Sequence, residues 1–309
     1  MTTQQITPTA TPEAERLQAQ KRLIGRLNAS NGVALVILGF ITMLVALLFI
    51  AIIIQLLVQG APAFLQAGFF GTGDGGILSE LYNTVYILVL TEIFLFPIAL
   101  GAAIFLVEYA RQGRLVTMIH FAAETLAGVP SIVLGMFGFL FFASILHFGT
   151  SRLSGALALL CLNFPIALRL FEDALSSVPR DLREGGLALG ATRWRMIRTV
   201  VLPSALPGLV TGLIISAGKI IGESAALLFT MGLFNPGNVF TLSPMIASDT
   251  LTTRLYYLKG PGGGTTSLSG AQETAVAAGI AAMLIILLLI INIASRALSR
   301  YIQKRITAA

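Results

Sequence analysis

Charge is scarce in this sequence. Only 11% of the 309 residues are Asp, Glu, Lys or Arg, while 56% are hydrophobic. A soluble domain carries roughly 25% charge, so a deficit this large excludes an ordinary water-covered surface and argues for contact with lipid. There is one cysteine, Cys161, set in an apolar stretch, which excludes an internal disulfide and says almost nothing about compartment. The two histidines, His120 and His147, have no second ligand at metal-binding spacing. A phosphate-binding loop is missing as well. Gly218-Lys219 follows Gly212 at the wrong distance and precedes Ile220, where a Ser or Thr would be needed for magnesium. The chain is therefore not itself a P-loop ATPase. Finally, no small-residue cleavage site follows the first apolar run, which is longer than a signal-peptide core and reads as an uncleaved span.

What the chain has is apolar length. Six stretches stand out: Val33–Leu57, Leu81–Leu106, Ile132–Leu146, Leu153–Leu170, Leu209–Met231 and Ala275–Ile293. The third is short. An apolar lead-in, Val116–Ala127, precedes it and is separated by Pro130 and Ser131. Pro97 and Pro165 fall inside the second and fourth stretches, where neighbouring helices can satisfy the freed carbonyls. The fold class expected is an all-α membrane protein with six transmembrane helices. Residues 1–30 form a polar tail with a basic end, residues 31–300 the membrane domain, and residues 301–309 a second tail.

Basic residues set the expected orientation. With the first tail in the cytoplasm and six alternating spans, sixteen of the twenty Lys and Arg residues fall on the cytoplasmic side. Arg152, Arg254 and Lys259 fall outside, and Lys219 lies within a span. That bias favours both termini inside. Two connections are long. Residues 171–206 are cytoplasmic, charged and helix-prone; residues 232–274 are external and contain a flexible-linker composition at 260–267.

The cytoplasmic connection runs from Val178-Pro179 to Leu202-Pro203. It reads as a short helix, a break at Gly190, a second helix and a proline stop. Pro179 suits a helix start, and Asp181 and Glu184 suit the first turns. Leu182, Leu187 and Leu189 give the first helix an apolar side; Trp194, Met196 and Ile197 give the second another. Two readings of this pattern are open on physics alone. One is an amphipathic helix resting on the inner leaflet with its arginines on anionic lipid; the other is a helix that docks into a partner.

The spacing favours the second reading. Glu184-Gly185-Gly186, three residues, Gly190, nine residues, Val200, one residue, then Leu202-Pro203 resembles the EAA loop of ABC importer permeases. The family form has Ala-Ala where this chain has Gly185-Gly186, and Ile where it has Val200. Each glycine loosens a helix by about 1 kcal/mol relative to Ala. Two further segments resemble the phosphate-specific (Pst) permeases. One is Glu124-Thr-Leu-Ala-Gly-Val-Pro-Ser-Ile-Val-Leu-Gly135; the other is Gly222-Glu223-Ser224-Ala-Ala-Leu-Leu-Phe-Thr230, close to the matching span of PstA-type subunits.

The resemblance implies a type I ABC importer permease fold. It implies that Glu184, Gly185, Gly186, Gly190, Leu202 and Pro203 belong to a coupling loop seated on a cytoplasmic ATPase. It also implies a machine: a second permease of PstC type, two ATPases of PstB type, an external phosphate-binding protein of PstS type, and phosphate as cargo. This chain would bind no cofactor; ATP and Mg2+ would be used by the partner ATPase. Lys219, Glu223 and Ser224 are the candidate phosphate pathway. Lys219 and Glu223 are four apart and expected on one helical face, where the lysine attracts an oxyanion and the carboxylate accepts a hydrogen bond from its protonated form. A self-neutralising ion pair is the other reading of those two residues. Pst relatives usually carry Arg at the position of Lys219. Glu92, expected to make a polar contact between helices, and Glu124, expected at the inner end of the third span, are secondary candidates. Importers of phosphonate or sulfate, an ATP-independent secondary carrier and a membrane scaffold or sensor are the alternatives.

Overall fold

The computed structural model describes residues 12–73, 75–111, 113–232, 240–260 and 268–307, and all of its regular structure there is helical. The chain divides into two units, residues 1–55 and 56–309.

The first unit is helix α1, Pro12–Phe64, as far as Gln55. The stretch read as a polar tail is helical from Pro12 onward. It is built mostly of Ala, Glu, Gln, Leu, Lys and Arg, good helix formers, behind a proline at the first helical position. From Val33 to Gln55 every side chain is exposed, and nearly all are apolar. Thr42 satisfies its own hydroxyl by donating to the Leu38 carbonyl at 2.8 Å. A helix apolar on all sides needs lipid or another chain around it.

In the second unit, α2 is Leu78–Ile104, prolonged by a π turn at Phe105–Tyr109. Next come α3, Arg114–Ala127, and α4, Ser131–Gly138, itself prolonged by a π turn at Phe139–Ile145. α5 is Arg152–Ser176. α6, Arg180–Ala188, and α7, Arg193–Met196, lead through a third π turn, Ile197–Val201, into α8, Leu202–Gly222. α9 is Ala225–Thr230, α10 is Leu251–Lys259 and α11 is Gly270–Thr307.

Among the described residues, five helical runs are long and apolar enough to cross a membrane, and α3 with α4 makes a sixth if that pair is one broken span. The pair is bent by 99° where Gly128-Val129-Pro130 intervenes. Pro130 has no N–H to give and sits in extended backbone (φ −57°, ψ 138°), so the helix stops and restarts. The expected third span is therefore an angled pair rather than one rod.

α5 lies at the centre, packed against α2 on one side and α8 on the other; α11 covers α8, and α4 meets α9. The seams are lined by small residues. A Cβ on Gly208 would sit 2.7 Å from the Cβ of Ala174, and one on Gly212 would sit 3.0 Å from the Phe171 ring. In lipid there is no hydrophobic drive between helices, so close backbone approach through such residues holds them together. Phe96 of α2 meets Phe171 of α5 edge-on at 5.6 Å.

Two expectations about boundaries change. Pro203 does not stop the helix: α7, the π turn and α8 form one 30-residue run, Arg193–Gly222. The carbonyl that the Pro203 ring would strike is four residues back, at Thr199, inside the widened π turn. Because α5 also runs on to Ser176, the connection read as 171–206 contracts to residues 177–192. Of the 232–274 connection, 240–260 is structured around α10. The linker composition read at 260–267 lies, apart from Gly260, outside the described residues.

Candidate functional site

The connection between α5 and α7 is built to present α6. Pro179 precedes its first turn and Asp181 lies in that turn, where the helix dipole favours an acid. At its end the Gly190 N–H donates to the Leu187 carbonyl at 2.9 Å, and the Ala191 N–H donates to that of Gly186 at 3.3 Å. That pair of bonds is a Schellman closure, and it requires left-handed backbone at Gly190, whose φ is +79°. Thr192 then caps α7 by accepting from the Arg195 N–H at 3.3 Å. The expected break at Gly190 is thus a defined turn.

No residue of α6 is buried. Glu184, Gly185 and Gly190 are exposed together on this element, Leu189 is 91% exposed and Trp194 56%. The second apolar side expected of Trp194, Met196 and Ile197 divides: Met196 and Ile197 enter the core, and Trp194 stays outside. Leu202 and Pro203 are half-buried at the start of α8, apart from the exposed face. The two glycines that replace alanines differ. A Cβ on Gly185 would meet nothing within 4 Å, whereas one on Gly186 would sit 3.1 Å from the Met196 Cγ.

An ion pair joins α6 to the end of α2, and side-chain contacts nearby join α3 to α5. Arg183 of α6 donates to Glu108 at 3.0 Å, and both side chains are largely buried. His120 of α3 lies 3.1 and 3.2 Å from the two carboxylate oxygens of Glu172 in α5. Glu124 lies on α3, before the bend, 3.7 Å from Arg169; both are well exposed, so the pair is worth little. A polar cleft of about 560 Å3 opens among Glu108, His120, Glu172, Asp173, Arg180 and Glu184.

The candidate pathway residues meet at a helix break. α8 ends at Gly222, Glu223 is extended (φ −79°, ψ 126°), and Ser224 precedes α9. Lys219 and Glu223 are therefore not on one face of one helix, as their spacing led us to expect. The break wins because the Glu223 carboxylate accepts from the Ala226 N–H of α9 at 3.3 Å, while the Thr252 hydroxyl donates to the Glu223 carbonyl at 3.0 Å. Backbone groups freed in a span need such partners or water. Lys219, Glu223 and Ser224 are all half-buried and adjoin this break. Glu92 is half-buried on α2, at a cleft of about 580 Å3 that Phe96, Leu213, Ala217 and Ile291 also line. Ser216 of α8 is its polar neighbour, but neither carboxylate oxygen makes a hydrogen bond.

Sequence reasoning passed over the most buried charges. Arg152 and Arg254, read as external basic residues, are 0% and 1% exposed. Arg152 donates to Asn83 Oδ1 at 2.5 Å, to Ser248 Oγ at 2.9 Å and to the carbonyl of Thr241, and its guanidinium lies 4.6 Å from the Tyr86 ring centroid. Tyr82 and Tyr86 donate to the carbonyls of Thr241 (3.2 Å) and Leu242 (2.8 Å). Together these bonds pin residues 241–248 to the starts of α2 and α5. Arg254 lies 3.7 Å from Glu80. Beside it, burial pushes the Asp249 carboxyl up to about 6, against the opposing pull of Arg254. The available signal was the pair of tyrosines four apart on α2, with Asn83 between them, opposite an arginine at a helix start.

Comparison with known proteins adds three findings. Residues 95–308 match the family described as binding-protein-dependent transport system inner membrane component. The chain is 37% identical over 244 residues to the probable ABC transporter permease protein YqgI of Bacillus subtilis, covering 76% of this chain and 81% of that one. It is 36% identical over 174 residues to the phosphate transport system permease protein PstA 1 of Mycobacterium tuberculosis, covering 56% of this chain and 57% of that protein's length. Among solved structures it superposes on the MetNI methionine ABC transporter with a TM-score of 0.60 at 22% identity, covering 73% of this chain and 95% of that one.

Proposed function

The chain belongs to the family of binding-protein-dependent transport system inner membrane components, and from that premise we propose that it is the PstA-type permease of a phosphate importer. As a family member it is a multi-pass membrane subunit of an ABC importer. The finer reading is that it forms half of a translocation pathway, opposite a second permease of PstC type. Two ATPases of PstB type sit beneath, and a phosphate-binding protein of PstS type sits outside. ATP and Mg2+ are consumed by the ATPases, and this chain holds neither.

The observation that carries the coupling role is α6. A short helix without one buried residue, closed by a Schellman turn and followed by an exposed Trp194, offers a preformed knob to a partner. Leu187 and Leu189 supply apolar contact, and Glu184 a charge. The orientation proposed puts this knob in the cytoplasm with both termini. Its support is the excess of arginine and lysine on that side. Arg152 and Arg254, which counted against it, lie buried in hydrogen bonds and ion pairs rather than exposed in a loop.

Phosphate as cargo is supported by the PstA relatives and by Lys219, Glu223 and Ser224 around the break between α8 and α9. Another oxyanion is the second reading, because Lys219 is a point charge that does not offer the paired donors of a guanidinium. The test is uptake of labelled phosphate by vesicles containing the assembled complex, with phosphonate and sulfate as competitors. ATP-dependent phosphate uptake that neither competitor blocks supports the assignment. Uptake that follows an ion gradient and needs no ATPase would overturn it.

A further inference from the structure

The guanidinium of Arg183 touches three different parts of the bundle. Its Nε donates to Glu108 Oε1 at 3.0 Å, at the π turn that ends α2. One terminal nitrogen donates to the Val178 carbonyl at 2.5 Å, in the turn after α5, and the other to the Leu175 carbonyl at 2.7 Å, in the last turn of α5. Arg183 itself stands on α6, among residues of which none is buried. The side chain is 16% exposed and its carboxylate partner 7%. Arg193, at the start of α7, adds a longer bond to the Glu108 backbone carbonyl at 3.4 Å.

α6 has few other holds on the bundle. Gly186 rests on Met196 and Val200, and Leu182 and Leu187 are 46% and 42% exposed. A push on the exposed face of α6 would otherwise dissipate in the short turn that joins it to α5. A planar, rigid fork bonded at three points resists such slippage, and a largely buried charge-assisted bond is stronger than a neutral one.

We propose that Arg183, with Glu108, is the positioning link that makes α2 and α5 move with α6 when a partner displaces that helix. The proposal rests on α6 being the coupling helix and adds how its displacement reaches the membrane. It gives Arg183 no contact with the ATPase and none with phosphate.

The experiment uses the complex purified through a tag on this chain from its own membranes and returned to liposomes with phosphate as cargo. ATPase retention, hydrolysis rate and phosphate taken up per ATP are read separately. For Arg183→Gln and Glu108→Gln we expect the ATPase to stay bound and hydrolysis to continue. Phosphate moved per ATP should fall tenfold or more, and the double variant should be no worse than either single one, because one link is lost in each. Arg183→Lys restores the charge pair without the fork and should recover part of the ratio.

Unchanged transport per ATP in Arg183→Gln would overturn the link. So would loss of the ATPase from Arg183→Gln with its return in Arg183→Lys, since that pattern makes Arg183 a docking contact. Additive losses in the double variant would show two independent roles and also overturn it. If the unaltered complex carries no ATPase at all, the coupling reading itself fails, and that outcome is visible before any variant is made.

Discussion

Gly135 offers a sharp test of how the pathway region is assembled. It lies on α4 where that helix crosses α9, the short helix that follows the break at Glu223. A Cβ placed there would lie 2.7 Å from the Ala226 Cα and 3.1 and 3.2 Å from the carbonyl oxygens of Ala226 and Ala225. Ordinary contact begins at 3.4 Å, so 2.7 against 3.4 Å is a shortfall of about 0.7 Å. The atoms struck are backbone, which cannot rotate away as a side chain does. Gly135→Ala must therefore push α9 off α4, at about 1–3 kcal/mol for an overpacked seam. Ala226 is also the residue whose N–H the Glu223 carboxylate accepts, so the same push reaches the candidate phosphate pathway. The thermal midpoint of the purified protein should fall by several degrees, and phosphate uptake should fall with it. Gly101→Ala, on the exposed side of α2 with nothing within 4 Å, is the control and should stabilise by about 0.5–1 kcal/mol. A Gly135→Ala protein with the parent's midpoint and uptake would refute the close crossing.

Three further outcomes follow from the geometry. Gly190→Val puts a β-branched residue at φ +79°; at about 1–2 kcal/mol it should loosen the closure of α6 and lower phosphate moved per ATP, and normal coupling would count against the Schellman turn as a working part. Arg152→Met strands Asn83, Ser248 and the Thr241 carbonyl. At about 1–3 kcal/mol for each buried polar partner left unsatisfied, it should speed hydrogen exchange through residues 240–260 while leaving α6 unchanged, and unaltered exchange would contradict the pinning role. The third concerns Asp249, whose carboxyl stands at about 6 in the fold and 3.8 as its ordinary value. Folding raises the affinity of this carboxyl for its proton, so the contribution of Asp249 to the stability of this segment should be lost as pH rises from about 4 to 6. Asp249→Asn should flatten that dependence in protease-resistance measurements, and an unaltered slope would reassign it.

Much of the fold was legible from one dimension because the membrane imposes it. Apolar runs of span length, separated by charged connections, have few solutions when every backbone group must be satisfied inside lipid. The EAA-like spacing was legible too, since Gly190 marks a left-handed turn that few other residues adopt. The double glycine was only half-legible: Gly185 faces open space and Gly186 lies against Met196, and nothing in the sequence distinguishes them. Helix continuity was misread twice, in opposite directions. Pro203 looked like a stop but is absorbed by the π turn before it; Lys219 and Glu223 looked like one face but are parted by a break. In both places the outcome depends on whether a neighbour or a widened turn takes up the freed backbone group.

The sequence by itself determined that this chain lives in lipid and which connection carries the EAA-like spacing. Those properties follow from composition and local spacing, which need no knowledge of neighbours. Only the tertiary structure decided that Arg152 and Arg254 are interior charges and that Arg183 bonds α6 to two other helices. Each depends on groups far apart in the chain meeting at hydrogen-bonding distance, and a charged side chain has the same formula whether it ends in water or inside the bundle.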